Sequence, residues 1–402
     1  MKIRKSVKKA MKLLHIEQLR RNQLKPINSI LDGRDTMVIA PTSFGKSLLY
    51  LIPALAQDSG ITIVIEPLLA LIHDQVHKLQ KLDISAAYLD STQSKSEQRA
   101  VIDDLRSGRI KILYLAPERL ATGILSLIEA FNQIRIIVVD ECHCVTTWGS
   151  TFRDAYLSVG TYIDSLKQHP VVVALSATAT PEDRPRIMKL LSMRKVKEFS
   201  VSLYRSKLSY MKKTVPSGYG HLAELKKCLK KYHRHTTIVF CNTIAATENV
   251  AKELKKTYRG EVMVYHSRNK EQEEDMLSGK KHIIVATSAL SMGVDIRDVD
   301  LVIHYNLPMS LADYYQMAGR AGREGQHARS ILLYDPDDYK ENHWLLKNIE
   351  EKTARSRALK RLDEMKEFCE DEENCMVVTL LNALGDPHEN ACRYCTNCQK
   401  GR

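Results

Sequence analysis

No run of about eighteen apolar residues, the length a membrane helix requires, occurs in this 402-residue chain, so a helical membrane span is excluded. The N-terminus, Met1-Lys-Ile-Arg-Lys-Ser-Val-Lys-Lys, is basic, but no apolar leader core follows it. It reads as the start of an amphipathic helix, and a cytosolic protein is expected. Short internal repeats and low-complexity tracts are missing, which argues against a solenoid. The nine cysteines are odd in number and crowd toward the C-terminus, which is a poor disulfide framework and a better metal site in a reducing compartment. What is present is positive charge: the formal net charge is +12, which favours a polyanionic partner. The length predicts two or three domains.

Apolar runs alternate with amphipathic helical stretches. The first series is Thr36–Ala40, Ile61–Ile65, Lys111–Leu115, Ile136–Val139 and Val171–Leu175. The second is Thr237–Phe240, Val262–Tyr265, His282–Ala286, Leu301–His304 and Ser330–Tyr334. Buried parallel strands read as continuous β-branched runs, so the fold class is α/β with two parallel-sheet units. A lysine-rich stretch from Arg194 to Lys213 reads as a basic linker between them. The domains are placed at 1–205, 206–340 and 341–402, the last a small helical, cysteine-rich subdomain.

Ala40-Pro-Thr42-Ser-Phe-Gly45-Lys46-Ser47 lies between a strand and a helical pattern. A small residue and a glycine let backbone N–H groups curl around phosphate oxygens at a helix start. Lys46 can reach the β- and γ-phosphates, and the Ser47 hydroxyl can ligate Mg²⁺. About ninety residues on, a buried strand ends in Asp140-Glu141-Cys142-His143. Carboxylates at the C-terminal end of such a strand sit where open α/β sheets bind ligands. Asp140 would hold Mg²⁺ and Glu141 would orient or deprotonate the attacking water. The following loop carries Trp148, Phe152 and Arg153, suited to stacking on unpaired bases. In the tail, Cys375 precedes Cys392, Cys395 and Cys398, four thiolates that can close a tetrahedral zinc site or, less readily, hold an iron–sulfur cluster. Cys369 falls outside the pattern and is expected to be a helix-buried thiol.

Taken in order, these motifs resemble superfamily 2 helicases, and within them the RecQ family of DNA helicases, over nearly the whole chain. Asp140-Glu-Cys-His143 is similar to that family's Asp-Glu-x-His box, and Ser176-Ala-Thr178 to its Ser-Ala-Thr motif. Pro67-Leu-Leu-Ala-Leu-Ile-His-Asp74-Gln75 and Leu113-Tyr-Leu-Ala-Pro-Glu118-Arg119 resemble further motifs of its first domain. Gln316-Met-Ala-Gly319-Arg320-Ala-Gly322-Arg323 resembles the last helicase motif, with Arg320 and Arg323 as candidates to stabilise the transferring phosphoryl group and Arg323 favoured. Leu19-Arg20-Arg-Asn-Gln23 resembles the adenine-recognition segment, with Gln23 on the base and Arg20 in support, although Ile16 stands where the family has an aromatic. Asn242, His266 and Thr287 fall in segments similar to those that contact nucleic-acid backbone. The loop after the box keeps Trp148, Phe152 and Arg153 but has Thr147, Ser150 and Thr151 where the family has Gln, His and Asp.

The resemblance implies two tandem RecA-like domains followed by a helical zinc-binding subdomain. It implies an ATP-dependent DNA helicase with Mg²⁺ and Zn²⁺ as cofactors, moving 3′ to 5′ on single-stranded DNA and opening duplex or branched DNA in recombination and repair. Single-stranded and duplex DNA are the implied partners, with single-strand-binding or repair proteins as further possibilities. The implied location is cytoplasmic, with the nucleoid, in a bacterium, or nuclear in a eukaryote. The sequence stops just past the metal pattern, where fuller family members continue into a winged helix, so either a short member of the family or a fragment of a longer one is expected. The rival readings are an RNA helicase and a zinc-dependent DNA-binding scaffold with a weak ATPase.

Overall fold

A computed structural model describes residues 3–147, 155–156, 158–216, 220–232, 236–258, 260–269, 282–291, 296 and 298–400. The chain divides into two compact units, Met1–Ser202 and Leu203–Arg402, each built on one parallel sheet. The two parallel-sheet α/β units expected from the alternating runs are therefore present, with a helical, cysteine-bearing segment at the end of the second unit.

In the first unit the strands are β1 (Thr36–Ile39), β2 (Ile61–Ile65), β3 (Ala86–Leu89), β4 (Ile112–Leu115), β5 (Ile134–Val139), β6 (Val171–Ser176) and β7 (Lys197–Ser200). Their order across the sheet is β3-β4-β2-β5-β6-β1-β7. Strands β1, β2 and β4 are buried at every residue, because helices cover both faces and β-branched side chains fill the space between. Helix Lys5–Leu13 packs on helix Leu48–Ala56, burying Val7 and Ala10 completely. Burying each such Ile, Leu or Val contributes about 1.5–3 kcal/mol relative to exposure.

That order sets up the site. The phosphate-loop strand β1 neighbours β6, β6 neighbours β5, and β5 neighbours β2. The segments leaving the carboxyl ends of these four strands therefore share one rim of the sheet, where open α/β sheets gather ligand-binding groups.

In the second unit the strands are β8 (Leu208–Thr214), β9 (Thr236–Phe240), β10 (Val262–Tyr265), β11 (Ile283–Ala286), β12 (Val299–His304) and β13 (Ala328–Tyr334). Their order is β10-β11-β9-β12-β13-β8, again all parallel. Helices Pro336–Leu346, Lys352–Glu370 and Met376–Ala383 follow, and Cys369 is a buried thiol within the second of them.

The stretch from Arg194 to Lys213 is not a simple linker. Its first part forms β7, paired with β1, and its last part forms β8, paired with β13. Both are edge strands, so one face of each can remain polar, which hides them from a search for apolar runs. Strand β3 was missed for the same reason: only its two ends are buried.

Candidate functional site

Residues Thr42–Phe44 form one 3₁₀ turn, and Gly45 follows at φ +82°. Only glycine adopts that left-handed conformation freely, and it turns the chain into the helix Leu48–Ala56 with Ser47 at its N-cap. Any Cβ at Gly45 would also lie 3.1 Å from Nε2 of Gln23. Gln23 is buried and spans two segments: Nε2 donates to the Phe44 carbonyl (2.9 Å), and Oε1 accepts from the Arg20 backbone N–H (2.8 Å). In this structure both ends of the Gln23 amide serve the backbone of the phosphate loop and its own turn, while Arg20 is exposed.

Lys46 is buried, and its Nζ lies 3.3 Å from Oε1 of Glu141, which arrives on the turn after β5. Burial alone would lower the Lys46 ammonium, but Glu141 and Asp140 hold it above its ordinary value. Glu141 has φ +44°, a conformation costing a non-glycine residue roughly 1–3 kcal/mol. The turn is held by two contacts: the Cys142 N–H donates to Leu175 (2.9 Å) and the Glu141 N–H donates to Asp140 Oδ1 (2.8 Å). Burial would raise the Glu141 carboxyl, yet Lys46 and His143 pull it well below its usual range. Asp140 goes the other way: burial first, with Glu141 beside it, pushes it up to about 6 despite the opposing pull of Lys46.

From Glu141 a polar path continues across the sheet. Oε2 of Glu141 is 3.3 Å from Nδ1 of His143, and that nitrogen is 3.1 Å from Oγ of Ser176 at the end of β6. Ser176 Oγ in turn accepts from the Thr178 and Ala179 N–H groups (3.0 and 3.1 Å). The fold thus joins the phosphate-loop lysine, the Asp-Glu-Cys-His box and the Ser-Ala-Thr turn in one chain of contacts.

One site residue was missed. Glu66 follows the last residue of β2 as Asp140 follows the last of β5: Ile65 pairs with Val139, and the Asp140 N–H donates to the Ile65 carbonyl (3.0 Å). It is 2% exposed and its Oε1 has no hydrogen-bond partner. Burial, then Asp140 and Glu141, raise its carboxyl well above the usual range. The available signal was an acidic residue terminating an otherwise apolar strand. Were phosphates and a cation to gather here, Ser47 and Asp140 would offer oxygen ligands suited to Mg²⁺, and a hard cation would favour the charged form of the carboxyls that burial raises.

In the second unit, Asn242, His266 and Thr287 follow β9, β10 and β11, which are neighbours in the sheet, so the three stand at one rim. The Asn242 amide donates to the Leu307 carbonyl and to Asn342 Oδ1 (both 2.8 Å), bracing its own loop. His266 is buried, with Nε2 3.4 Å from Glu248, and Thr287 is half-buried. Arg320 is buried and donates to the Ser291 carbonyl, so it ties down the turn after β11, whereas Arg323 is partly exposed. A second unanticipated residue, Arg205, shapes this turn. Its guanidinium donates to the carbonyls of Gly319 (2.9 Å), Ala321 (2.7 Å) and Gly322 (2.6 Å). Trp148, Phe152 and Arg153 lie outside the described residues.

Cys375, Cys392, Cys395 and Cys398 come together with their sulfurs all within 4.8 Å of one another, the one such metal-binding group among the described residues. The Cys392 N–H donates to Cys375 Sγ and the Cys395 N–H to Cys392 Sγ, each at 3.2 Å. The contact between Cys395 and Cys392 pulls the Cys395 thiol down to about 4 and raises that of Cys392, so the pair shares one readily lost proton. Four converging sulfurs with N–H groups behind them fit a closed structural zinc site. No helix among the described residues is long and apolar enough to cross a membrane.

Comparison with known proteins agrees with this arrangement. Residues 20–186 match the family model described as DEAD/DEAH box helicase, 220–325 the helicase conserved C-terminal domain, and 336–399 the RecQ zinc-binding domain. The chain is 33% identical to the ATP-dependent DNA helicase RecQ of Bacillus subtilis, with 96% of this chain and 65% of that one covered. It is 32% identical to the ATP-dependent DNA helicase RecQ of Haemophilus influenzae, covering 95% and 61%. It therefore spans just under two thirds of these relatives. Among solved structures, the DUF1998 helicase MrfA bound to DNA shares the fold at a TM-score of 0.69 and 20% identity, covering 90% of this chain and 57% of that one. Mss116p bound to ssRNA and AMP-PNP also gives 0.69, at 17% identity, covering 96% and 89%.

Proposed function

We propose that this chain, which belongs to the RecQ family of DNA helicases, is an ATP-driven motor that moves 3′ to 5′ along single-stranded DNA and separates duplex or branched DNA during recombination and repair. The observation that carries the reading is the contact chain Lys46–Glu141–His143–Ser176. It gives a phosphate-responsive lysine a route to the turn after β6, so a change of partner at Lys46 shifts groups two strands away.

In the proposed reaction Lys46 leaves Glu141 for the β- and γ-phosphates of ATP, and the freed Glu141 carboxylate orients the attacking water. Ser47 and Asp140 would hold Mg²⁺, which when bound neutralises phosphate charge. Gln23 acts through the loop, fixing the Phe44 carbonyl and, through it, the cradle. Arg323 is assigned to the charge that develops on the transferring phosphoryl group, and Arg320 to positioning its turn. Asn242, His266 and Thr287, with Trp148, Phe152 and Arg153, are assigned to the nucleic acid. The cysteine cluster would bind zinc as a structural element.

A strand-displacement assay with 3′-tailed and 5′-tailed DNA duplexes tests the reading, with E141Q as the turnover-dead control. ATP-dependent release from the 3′-tailed substrate is expected. Release from the 5′-tailed substrate alone would reverse the polarity. ATP hydrolysis stimulated by RNA and not by DNA would replace the substrate class.

A further inference from the structure

We propose that the tip of the helical hairpin formed by Pro336–Leu346 and Lys352–Glu370, centred on Trp344, is a second contact for single-stranded DNA, separate from the helicase motifs. The two helices run antiparallel: Tyr339 Oη donates to Asp363 (2.6 Å), and Lys366 lies over the Tyr339 ring at 5.9 Å. The hairpin is anchored on one side by buried Asp338 and Asn342 and by Leu362, Met365 and Phe368.

Trp344 follows Asn342 by two positions, about 200° around the helix, and so faces away from that anchor. It is 64% exposed, the most exposed of the large apolar side chains among the described residues. A tryptophan left open to water at the end of a helix contributes little to a core, and its flat ring is the kind of surface on which an unpaired base stacks.

The surroundings select a polyanion. Along the helices the cations are matched by acids, with Lys340 on Asp337, Arg357 near Glu351 and Lys360 near Glu364, so the positive charge offered at the tip is that of Lys347, Lys352 and Arg355. Lys347, one turn beyond Trp344, and Lys352, which opens the next helix, are exposed, and Arg355 is half-buried one turn further on. Cations in the first turn of a helix oppose its dipole, so Lys352 and Arg355 cost the hairpin some stability. A phosphate backbone passing the tip would compensate both. Stacking requires bases that are not paired, which favours a single strand over a duplex.

The test needs no nucleotide, so its outcome is independent of the motor reading. The chain has two tryptophans, and in a W148F background Trp344 alone reports. Oligo-dT is expected to quench its fluorescence. W344A is expected to weaken oligo-dT binding by roughly 5- to 100-fold, while W344F, which keeps a stacking face, retains most of the affinity. K347A and K352A should each flatten the dependence of log K on log salt by about 0.7. Unchanged emission with unchanged affinity in W344A overturns the proposal, as does quenching by blunt duplex but not by oligo-dT. Equal losses in W344A and W344F would show a collapsed hairpin in place of stacking and would also reject it.

Discussion

Asp140 carries its charge against its surroundings. Burial and the neighbouring Glu141 raise its carboxyl to about 6, and Glu66 is raised for the same reasons. The folded protein therefore holds protons at this rim that the unfolded chain, with an ordinary aspartate near 3.8, has already released. Between about pH 4 and 6 stability from this group falls as pH rises, and above 6 the full cost applies. D140N removes that cost. It should melt higher than the native protein at pH 8, by an amount on the order of 1–3 kcal/mol, with the gap closing toward pH 5. Thermal melts of both proteins across that range are the measurement, and a gap that widens on acidification would contradict a raised Asp140. The same substitution should abolish metal-dependent nucleotide binding, so stability and function oppose each other at this atom. At this scale the sequence was most legible. Lys46, Ser47, Asp140 and Glu141 were singled out because phosphate chemistry calls for such side chains beside a strand end, and the structure does bring Lys46 against Glu141. Glu66 was not, since its character comes from burial and then from Asp140, which lies far along the chain and is brought beside it by the β2–β5 pairing.

Among elements, the turn Gly319–Gly322 shows how a motif depends on a residue outside it. Gly322 has φ +65°, and a Cβ there would fall 2.9 Å from that of Ala328, so this glycine is required both by conformation and by space. The three carbonyls that the turn leaves over are collected by Arg205. A planar guanidinium can serve three acceptors in a fan, and an ammonium on a flexible stem cannot hold the same geometry. R205K should therefore destabilise the second unit by about 1.5–3 kcal/mol, read as a lower urea midpoint. If Arg323 has the role proposed for it, R205K should also lower kcat more than it raises KM for ATP, because that arginine would then be poorly placed when charge develops. A change confined to the urea midpoint would limit Arg205 to a structural role. Edge strands β7 and β8 belong to the same lesson. Their half-polar composition reads as a linker, and only pairing with β1 and β13 identifies them.

Over the whole molecule, the second unit is closed by its cysteine cluster. Lys212 on β8 donates from its backbone N–H to Thr396 Oγ1 (2.9 Å) and from Nζ to the Cys369 carbonyl (2.9 Å). Asn397 donates to the carbonyls of Asp371 (2.9 Å) and Asn374 (2.7 Å). A segment this short has too little apolar surface to hold itself, and in zinc-finger peptides metal binding supplies about 10–16 kcal/mol of apparent folding energy. Stripping the metal with a chelator, or making C395S, should expose residues 371–400 to limited proteolysis, while the first unit keeps its native protection. Protease resistance that survives complete zinc removal would show that the bonds to β8 suffice alone.

The sequence by itself determined the α/β architecture, the phosphate loop, the acidic box, the arginine turn and the four-cysteine pattern. Each is written in consecutive or closely spaced residues, and its chemistry follows from side-chain type and a local strand or turn. The tertiary structure alone decided that Gln23 braces the phosphate loop, that Glu66 is brought beside Asp140, that Arg205 holds the arginine turn and that Trp344 is left in water. Those properties are set by burial and by partners distant in the chain, and neither exists until the sheets have assembled.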